Sequence, residues 1–207
     1  STQKWTLFPY TTLFRSYNTL CDDFGLSGNY HEFNFGPVED DDGHLYFALN
    51  TASNGAGVRY EKRGAFTLDG RDGRMYASVP WRGWVMKLAP DGTMTPFASG
   101  LRSPNGLGFD HEGRLWTIDN QGDWIGTSPL YHLEQGQHYG HPASLVWQEE
   151  FSGKPLDRSA AELDALRQLP AGVFPQGTMA NSPCDPIVIP ESWGPLAGDR
   201  KSTRLNS

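Results

Sequence analysis

The chain has 207 residues, with 24 acidic and 17 basic side chains, a net charge of -7 and a mean hydropathy of -0.54. We expect no membrane span, because no stretch approaches the roughly 18 consecutive apolar residues that a spanning helix needs. We expect no nucleic-acid partner either, since the basic residues are scattered singly. With 24 glycines, 15 prolines and 13% aromatic residues, the composition favours strands and turns over a helical bundle.

Both ends of the chain resemble translated sequencing adapters. Residues 6–16 read TLFPYTTLFRS, and residues 199–207 read DRKSTRLNS. We therefore expect residues 1–16 and 199–207 to be adapter-derived tails that are not native. Residues 17–198 are then the natural segment, cut at both ends.

A short pattern recurs in which an acidic residue and Gly precede alternating large apolar residues. It occurs at Gly43–Tyr46, Gly73–Tyr76 and Gly113–Trp116, and an Asp91–Gly92 turn follows the apolar stretch Trp84–Leu88. Acidic-Gly pairs favour tight turns, so each copy predicts a hairpin that enters a strand. Such units 30 and 40 residues apart are typical of the blades of a β-propeller, although a β-sandwich also has short strands and frequent turns. Residues 17–198 are therefore predicted to be all-β, as a partial β-propeller domain.

One segment departs from this pattern. Residues 159–169, SAAELDALRQL, predict a short amphipathic helix inserted between blades, with leucines near helical spacing at Leu163, Leu166 and Leu169. Ser159 followed by Glu162 predicts a capping box. The helix is expected to cover a blade edge or the rim. The Pro- and Gly-rich stretch Ala171–Pro190 predicts loop and connection that end in a strand at Ile187–Ile189.

Candidate site residues cluster in two polar, Gly-rich stretches, Arg102–Gly108 and Asp119–Trp124, on either side of the strand Leu115–Ile118. In a propeller such stretches lie at strand ends and can meet at the central channel. The guanidinium of Arg102 is suited to binding an anionic ligand. The alternative role for Arg102 is an ordinary ion pair between blades. The second stretch supplies oxygen ligands of the kind that calcium prefers, or else only caps a turn; its oxygen-bearing residues are Asp119, Asn120, Gln121 and Asp123.

Residues 102–142 resemble the conserved blade of the soluble quinoprotein glucose/sorbosone dehydrogenases. That blade runs Arg-Asn-Pro-Gln-Gly-Leu, then a strand, then an acidic residue with a Gly-containing loop, and it closes near Asn-Tyr-Gly-Trp-Pro. The corresponding parts here are Arg102–Leu107, Asp119 with Gly122, and His138–Pro142. The run DNQGDW followed by YGHPASLVW resembles a subgroup of large secreted bacterial proteins that often carry a c-type haem domain.

The resemblance implies a six-bladed propeller that oxidises a sugar with pyrroloquinoline quinone (PQQ) and calcium. It implies a periplasmic or secreted location, a small sugar as substrate, and a c-type cytochrome domain or protein as electron acceptor. Arg102 matches the residue that contacts the quinone carboxylates, and Asn105 stands where the family has another amide. Gly122 and Asp123 fall on the calcium loop.

His31 is the candidate general base that the resemblance implies. In the family this residue takes the proton of the sugar hydroxyl while hydride passes to the quinone, a role that suits an imidazole with a pKa near neutrality. The alternative for His31 is a hydrogen-bonded channel or core histidine.

Two other functions remain open from the sequence. Ser103, Asp123 and Leu130–Tyr131 depart from the family's pattern, which favours a non-catalytic propeller that binds carbohydrate or protein as the scaffold of a larger secreted protein. A calcium-dependent lactonase on the same scaffold would need oxygen ligands that converge on one metal, and Asn50, Asn105 and Asn120 are the candidates.

Other candidate sites have more ordinary interpretations. Asp40–Gly43 fails as an EF-hand, because aligning its Gly places Val38 and Leu49 at ligand positions. The segment Trp81–Trp84 either stacks a sugar or packs within a blade, and packing is favoured. The histidines do not have zinc spacing; they are His132, His138 and His141.

The two cysteines carry no haem signature. Cys21 and Cys184 lie outside any Cys-x-x-Cys-His motif, so we expect no covalent haem on this chain. They are either free or bridged across the ring.

Overall fold

A computed structural model describes residues 19–54, 62–67, 74–151, 155–190, 192–193 and 200–202. The N-terminal tail predicted at residues 1–16 and Gly73 of the repeated turn lie outside these ranges.

Two four-stranded antiparallel sheets make up most of the described chain. The first has the order β1-β2-β5-β6, with strands β1 (Asn34–Glu39), β2 (Leu45–Leu49), β5 (Trp84–Leu88) and β6 (Met94–Ser99). Between β2 and β5 the chain forms a small antiparallel pair, β3 (Ala52–Ser53) and β4 (Met75–Tyr76). The second sheet has the order β7-β8-β9-β10, with strands β7 (Pro104–Phe109), β8 (Leu115–Asp119), β9 (Ser128–Leu133) and β10 (Gly172–Phe174).

The connectivity of these sheets confirms the all-β class and the blade architecture. Strands of the second sheet pair in chain order, and those of the first do so apart from the β3–β4 insertion. Sandwiches of the Greek-key type instead cross between sheets, whereas sequential four-stranded sheets are the blades of a propeller. The two sheets bury a shared core that includes Tyr46 and Val85 from the first and Leu115 and Tyr131 from the second.

A third unit begins beside the second sheet. Strand β11 (Pro186–Val188) pairs antiparallel with β12 (Arg200–Ser202) and packs against β7. A Cβ at Gly108 would lie 2.4 Å from the carbonyl oxygen of Pro186, so only glycine allows this approach. Strand β12 falls within the tail predicted to be adapter-derived, and that origin stays a prediction.

The turn that joins the first two strands of each sheet is the same in both blades. Asp40 accepts hydrogen bonds from the backbone N–H groups of Asp42 and His44, and Asp110 accepts them from those of Glu112 and Arg114. Asp110 also accepts from Arg114 Nε and Trp116 Nε1, both at 2.8 Å. The predicted acidic-Gly turns at Gly43 and Gly113 are therefore confirmed, and their separation of 70 residues marks one blade.

The predicted helix and its capping box are confirmed in a shorter form. Helix α1 (Ala160–Leu166) begins after Ser159, whose Oγ accepts from Glu162 N, while Glu162 Oε2 accepts from Ser159 N at 2.8 Å. Leu163 is 1% exposed and packs in a small core, but Leu169 is 78% exposed. The predicted apolar face is wrong at Leu169 because the helix ends at Leu166 and the next residue is extended.

Three short 3₁₀ helices precede α1, at Pro142–Trp147, Glu149–Phe151 and Pro155–Asp157. The loop predicted over Ala171–Pro190 is wrong at Gly172–Phe174, which forms the outer strand β10 by pairing with β9. Composition misled here because an edge strand tolerates Pro and Gly nearby.

Two further features bear on the expectations from the sequence. No disulfide links Cys21 to Cys184, and the Cys21 thiol donates to Met94 Sδ at 3.5 Å.

Among the described residues, none of the helices has the length and apolar character needed to cross a bilayer.

Replacing Asp110 with Ala is expected to lower the free energy of unfolding by about 2 kcal/mol, because four hydrogen-bond donors lose their acceptor. Hydrogen bonds from Arg114, Trp116 and Glu112 outweigh burial and hold the pKa of Asp110 well below its usual range. The contribution of Asp110 to the free energy of unfolding is therefore complete above about pH 4, and it is lost as the pH falls toward the pKa of Asp110 in the folded state.

Urea unfolding at pH 7 and at about pH 2 measures the difference in free energy of unfolding between the parent protein and Asp110→Ala. The control is Asp91→Ala, because that exposed carboxylate bonds only Thr93. Equal losses for the two variants at pH 7 would contradict the role given to the Asp110 turn.

Candidate functional site

The carboxylate of Asp119 organises the junction between the two sheets. Asp119 ends β8, is 3% exposed, and accepts hydrogen bonds from the backbone N–H groups of Arg102 at 2.9 Å and Ser103 at 2.7 Å. Burial raises the pKa of Asp119, while the two backbone donors and the charges of His141 and Arg102 act in the opposite direction. These bonds join the two polar stretches that the sequence singles out, and their place at a central channel stays a prediction.

The same turn is bonded to the first sheet. The carbonyl oxygen of Arg102 accepts from Thr51 N at 3.0 Å and from Thr51 Oγ1 at 2.8 Å. Asn50 Nδ2 donates to Ser103 Oγ at 2.7 Å. Asn50 and Thr51 directly follow β2, so the ends of strands from both blades meet at this point.

His31 approaches the junction through Thr51. Its Nδ1 lies 3.1 Å from the carbonyl oxygen of Thr51. Since a carbonyl only accepts, Nδ1 carries the proton and Nε2 is the basic nitrogen of the neutral ring. Burial lowers the pKa of His31, and the positive charges of Arg102 and Arg74 lower it further. The imidazole is therefore neutral at pH 7.

Arg82 holds the segment that carries His31. Its side chain is fully buried and donates to the carbonyl oxygens of Gly25 and Glu32 and to Asn34 Oδ1. Burial lowers the pKa of Arg82 to about 10, so it remains charged at pH 7. No local pattern in the sequence indicates this anchor, because its hydrogen-bond acceptors lie about 50 residues away along the chain.

Arg102 is a buried cation without an ion-pair partner among the described residues. Burial lowers the pKa of Arg102, and the charges of Asp119 and Asp123 raise it. It is 8% exposed, its Nε has no hydrogen-bond partner, and Nη2 contacts Met75 Sδ at 3.7 Å. Thioether sulfur is only a weak acceptor. Within the described part of the chain, no carboxylate lies at ion-pair distance from the guanidinium. The ordinary ion pair between blades is therefore not what the structure shows, and the side chain remains able to take an anion.

The base of the junction leaves two amide oxygens without partners. Asn50 Oδ1 and Asn120 Oδ1 are buried and accept no hydrogen bond from the described residues. Asn120 Nδ2 donates to Ser182 Oγ, and Asn105 bonds Ser103 Oγ and the carbonyl oxygen of Pro183. Amide oxygens are suitable ligands for calcium. The three asparagines proposed for a lactonase thus lie around Ser103, and two of them keep a free acceptor.

Asp123 lies on the other side of Arg102 and is already bonded. Its Oδ2 accepts from Arg74 N at 2.8 Å and Met75 N at 3.0 Å, and its Oδ1 lies 3.0 Å from His141 Nε2. Burial alone would raise the pKa of Asp123, but His141 and the backbone donors hold it well below its usual range. A cation bound by Asp123 would have to compete with His141. The sequence analysis found no zinc spacing at His141. It did not predict the pairing of His141 with Asp123, because the two residues are 18 positions apart and form no recognisable motif.

Gly122 leaves space for the side chain of Arg102 to pack against the backbone. A Cβ at Gly122 would lie 3.0 Å from Arg102 Cγ and 3.4 Å from its Cδ, so the aliphatic stem of Arg102 packs on this glycine. The backbone N–H of Gly122 donates to the carbonyl oxygen of Ile125 at 2.8 Å. Calcium binding by Gly122 and Asp123 stays a prediction.

Comparisons with known proteins add a structural likeness. No protein-family model matches the chain, and no curated protein matches its sequence. Among solved structures, the chain is similar to the PQQ-bound form of aldose sugar dehydrogenase from Streptomyces coelicolor, at 17% identity and a TM-score of 0.45. The match covers 74% of this chain and 39% of that one, so the chain spans well under half of that protein.

Replacing Arg102 with Gln is expected to raise the pKa of His31 toward its ordinary value. The rise is partial, because burial is the largest cause of the lowered pKa and remains in the variant. NMR titration of the imidazole C–H resonances measures it. Arg63→Gln is the control, since Arg63 does not act on His31. An unchanged pKa of His31 in Arg102→Gln would show that the two side chains are not electrostatically coupled.

Proposed function

We propose that the chain is part of a quinoprotein-type oxidoreductase that oxidises a sugar by hydride transfer to PQQ. The observation that supports the proposal is the buried guanidinium of Arg102, which has no ion-pair partner in the described part of the chain and is coupled to the neutral imidazole of His31. An unpaired buried charge is costly to keep in a fold. An anionic ligand would remove that cost.

The residues present fit the cofactor. Arg102 would hold a cofactor carboxylate through its unpartnered Nε, and Asn105, which borders the same turn, would contribute its amide. When bound, the quinone supplies the acceptor for the hydride. For the calcium that accompanies it, the unpartnered oxygens of Asn50 and Asn120 are better available than Asp123, whose two oxygens already accept hydrogen bonds.

His31 would act as the general base. Its Nε2 accepts the proton of the substrate hydroxyl, and Nδ1–H remains bonded to the carbonyl oxygen of Thr51. That carbonyl stabilises the imidazolium as it forms and keeps the ring oriented. Arg82 supports this geometry by fixing the backbone at Glu32. As a proposal, the protein is exported, with a c-type cytochrome domain or protein as electron acceptor and no covalent haem on this chain.

A non-catalytic propeller that binds carbohydrate or protein is the second candidate function. The pairing of Asp123 with His141 favours it, because the loop expected to bind calcium then has its carboxylate occupied by the protein. Binding of PQQ decides between the two candidates.

Titration of the full chain with PQQ in the presence of calcium, followed by calorimetry, tests the proposal. Arg102→Ala is expected to weaken PQQ binding by at least about tenfold, the loss of roughly one charge-assisted hydrogen bond. Arg63→Ala, which removes an exposed arginine, is the matched control and is expected to bind like the parent. Equal affinity in Arg102→Ala, or no binding by the parent chain, would overturn the proposal.

His31→Gln separates binding from chemistry. PQQ affinity is expected to be retained, whereas aldose-dependent reduction of a dye is expected to fall by roughly a hundredfold or more, the usual contribution of a general base. In the parent protein, activity should rise as the pH increases through the pKa of His31, which lies below 6.5, because only the neutral ring accepts a proton. A rate that does not depend on pH in this range would contradict the role of His31.

A further inference from the structure

A second concave region lies apart from the polar junction. It is a groove of about 510 Å³ at the edge of the first sheet, and we call it the aromatic groove. Its lining includes three tryptophans, one phenylalanine, one amide and one carboxylate: Trp81, Trp84, Phe97, Trp147, Gln148 and Glu150. None of these residues belongs to the junction around Arg102. The volume falls within the range of small-molecule pockets.

The indole rings of the aromatic groove are held rigidly. Trp84 Nε1 donates to the carbonyl oxygen of Ser144 at 3.1 Å, and Trp147 Nε1 donates to that of Ala77 at 2.9 Å. Both polar edges are thus satisfied by the protein. Trp84 is 5% exposed, so the aromatic surface that a ligand meets in a fixed orientation is mainly that of Trp147, which is partly exposed.

Trp81 is held against Trp84 at a backbone conformation that tryptophan rarely adopts. The two rings meet edge to face, with centroids 5.5 Å apart at 86°. Trp81 has a φ of 69°, in the left-handed region that favours glycine. Although packing against Trp84 accounts for one side of the ring, Trp81 remains partly exposed. A strained, partly exposed aromatic residue is a typical sign of a functional position.

The polar side chains define the chemistry of the ligand. Within the described part of the chain, the side chains of Gln148 and Glu150 make no hydrogen bond, so an amide and a carboxylate remain available beside the rings. Among the described residues, the groove lining has one carboxylate and no cation, which disfavours an anionic ligand. Aromatic faces pack on C–H surfaces, while an amide and a carboxylate bond hydroxyl groups. A neutral saccharide combines both features.

We propose that the aromatic groove binds a neutral oligosaccharide, with Trp81 and Trp147 packing on the sugar rings and Gln148 and Glu150 bonding their hydroxyls. This binding needs neither PQQ nor calcium, and it does not rest on the proposed oxidation. A failure of PQQ to bind would therefore leave it standing.

Calorimetric titration of the full chain, without cofactor, tests the proposal. The probes are cellotetraose, maltotetraose and xylotetraose, with a ten-residue polyproline peptide as the other class of ligand that aromatic grooves take. At least one saccharide is expected to bind with a Kd of about 1 mM or tighter. Absence of binding by all three saccharides, or binding of polyproline alone, would overturn it.

Variants locate the binding. Trp81→Gly removes the ring at a position whose backbone favours glycine, and it is expected to weaken saccharide binding roughly tenfold. Trp193→Ala removes a tryptophan that is 62% exposed and outside the groove, and it is expected to bind like the parent. Gln148→Ala, at a partly exposed position, is expected to weaken binding several-fold and serves if Trp81→Gly proves unstable. Unchanged affinity in the folded variants would place the saccharide elsewhere and refute the assignment.

Discussion

The junction between the blades depends on the two hydrogen bonds that the Asp119 carboxylate accepts from the backbone of Arg102 and Ser103. They set the path of the chain as it passes from one sheet to the next. That path places the carbonyl oxygen of Arg102 where Thr51 bonds it twice. Thr51 in turn orients His31. A single buried carboxylate therefore controls the positions of the cation and the imidazole of the candidate site.

The blade turns and the junction use carboxylates for different purposes. Asp40 and Asp110 each close a turn within one blade by accepting hydrogen bonds from residues two to six positions further along the chain. Asp119 and Asp123 instead bond residues 16 to 49 positions away. Local carboxylates shape the repeating unit, and the distant ones join its copies at the end where polar groups converge.

This division explains how much could be predicted from the sequence. Strand β5 has the predicted bounds of Trp84–Leu88, and the capping box at Ser159 and Glu162 forms as expected, because both features depend on neighbouring residues. The convergence of Arg102 and Asp119 was also predictable, since strand ends meet in a propeller. The roles of Arg82, Thr51 and His141 were not, because their bonds depend on three-dimensional contacts between distant segments that have no periodic signal.

The two buried arginines, Arg82 and Arg102, differ in how far the protein satisfies their guanidinium groups. This difference points to a structural role for Arg82 and a binding role for Arg102. Arg82 is fully buried, and its guanidinium donates to two carbonyls and an amide oxygen, which compensates much of the cost of burying its charge. Arg102 is nearly as buried, yet among the described residues its Nε has no hydrogen-bond partner and its Nη2 contacts the sulfur of Met75, while the charges of Asp119 and Asp123 act on it from beyond ion-pair distance. A chain under selection for stability alone would favour an apolar side chain at this position. Because Gly122 makes room for the stem of Arg102 and Asp119 fixes its backbone, the fold holds this charge with no carboxylate of the described residues at ion-pair distance, which leaves the guanidinium able to bind an anion.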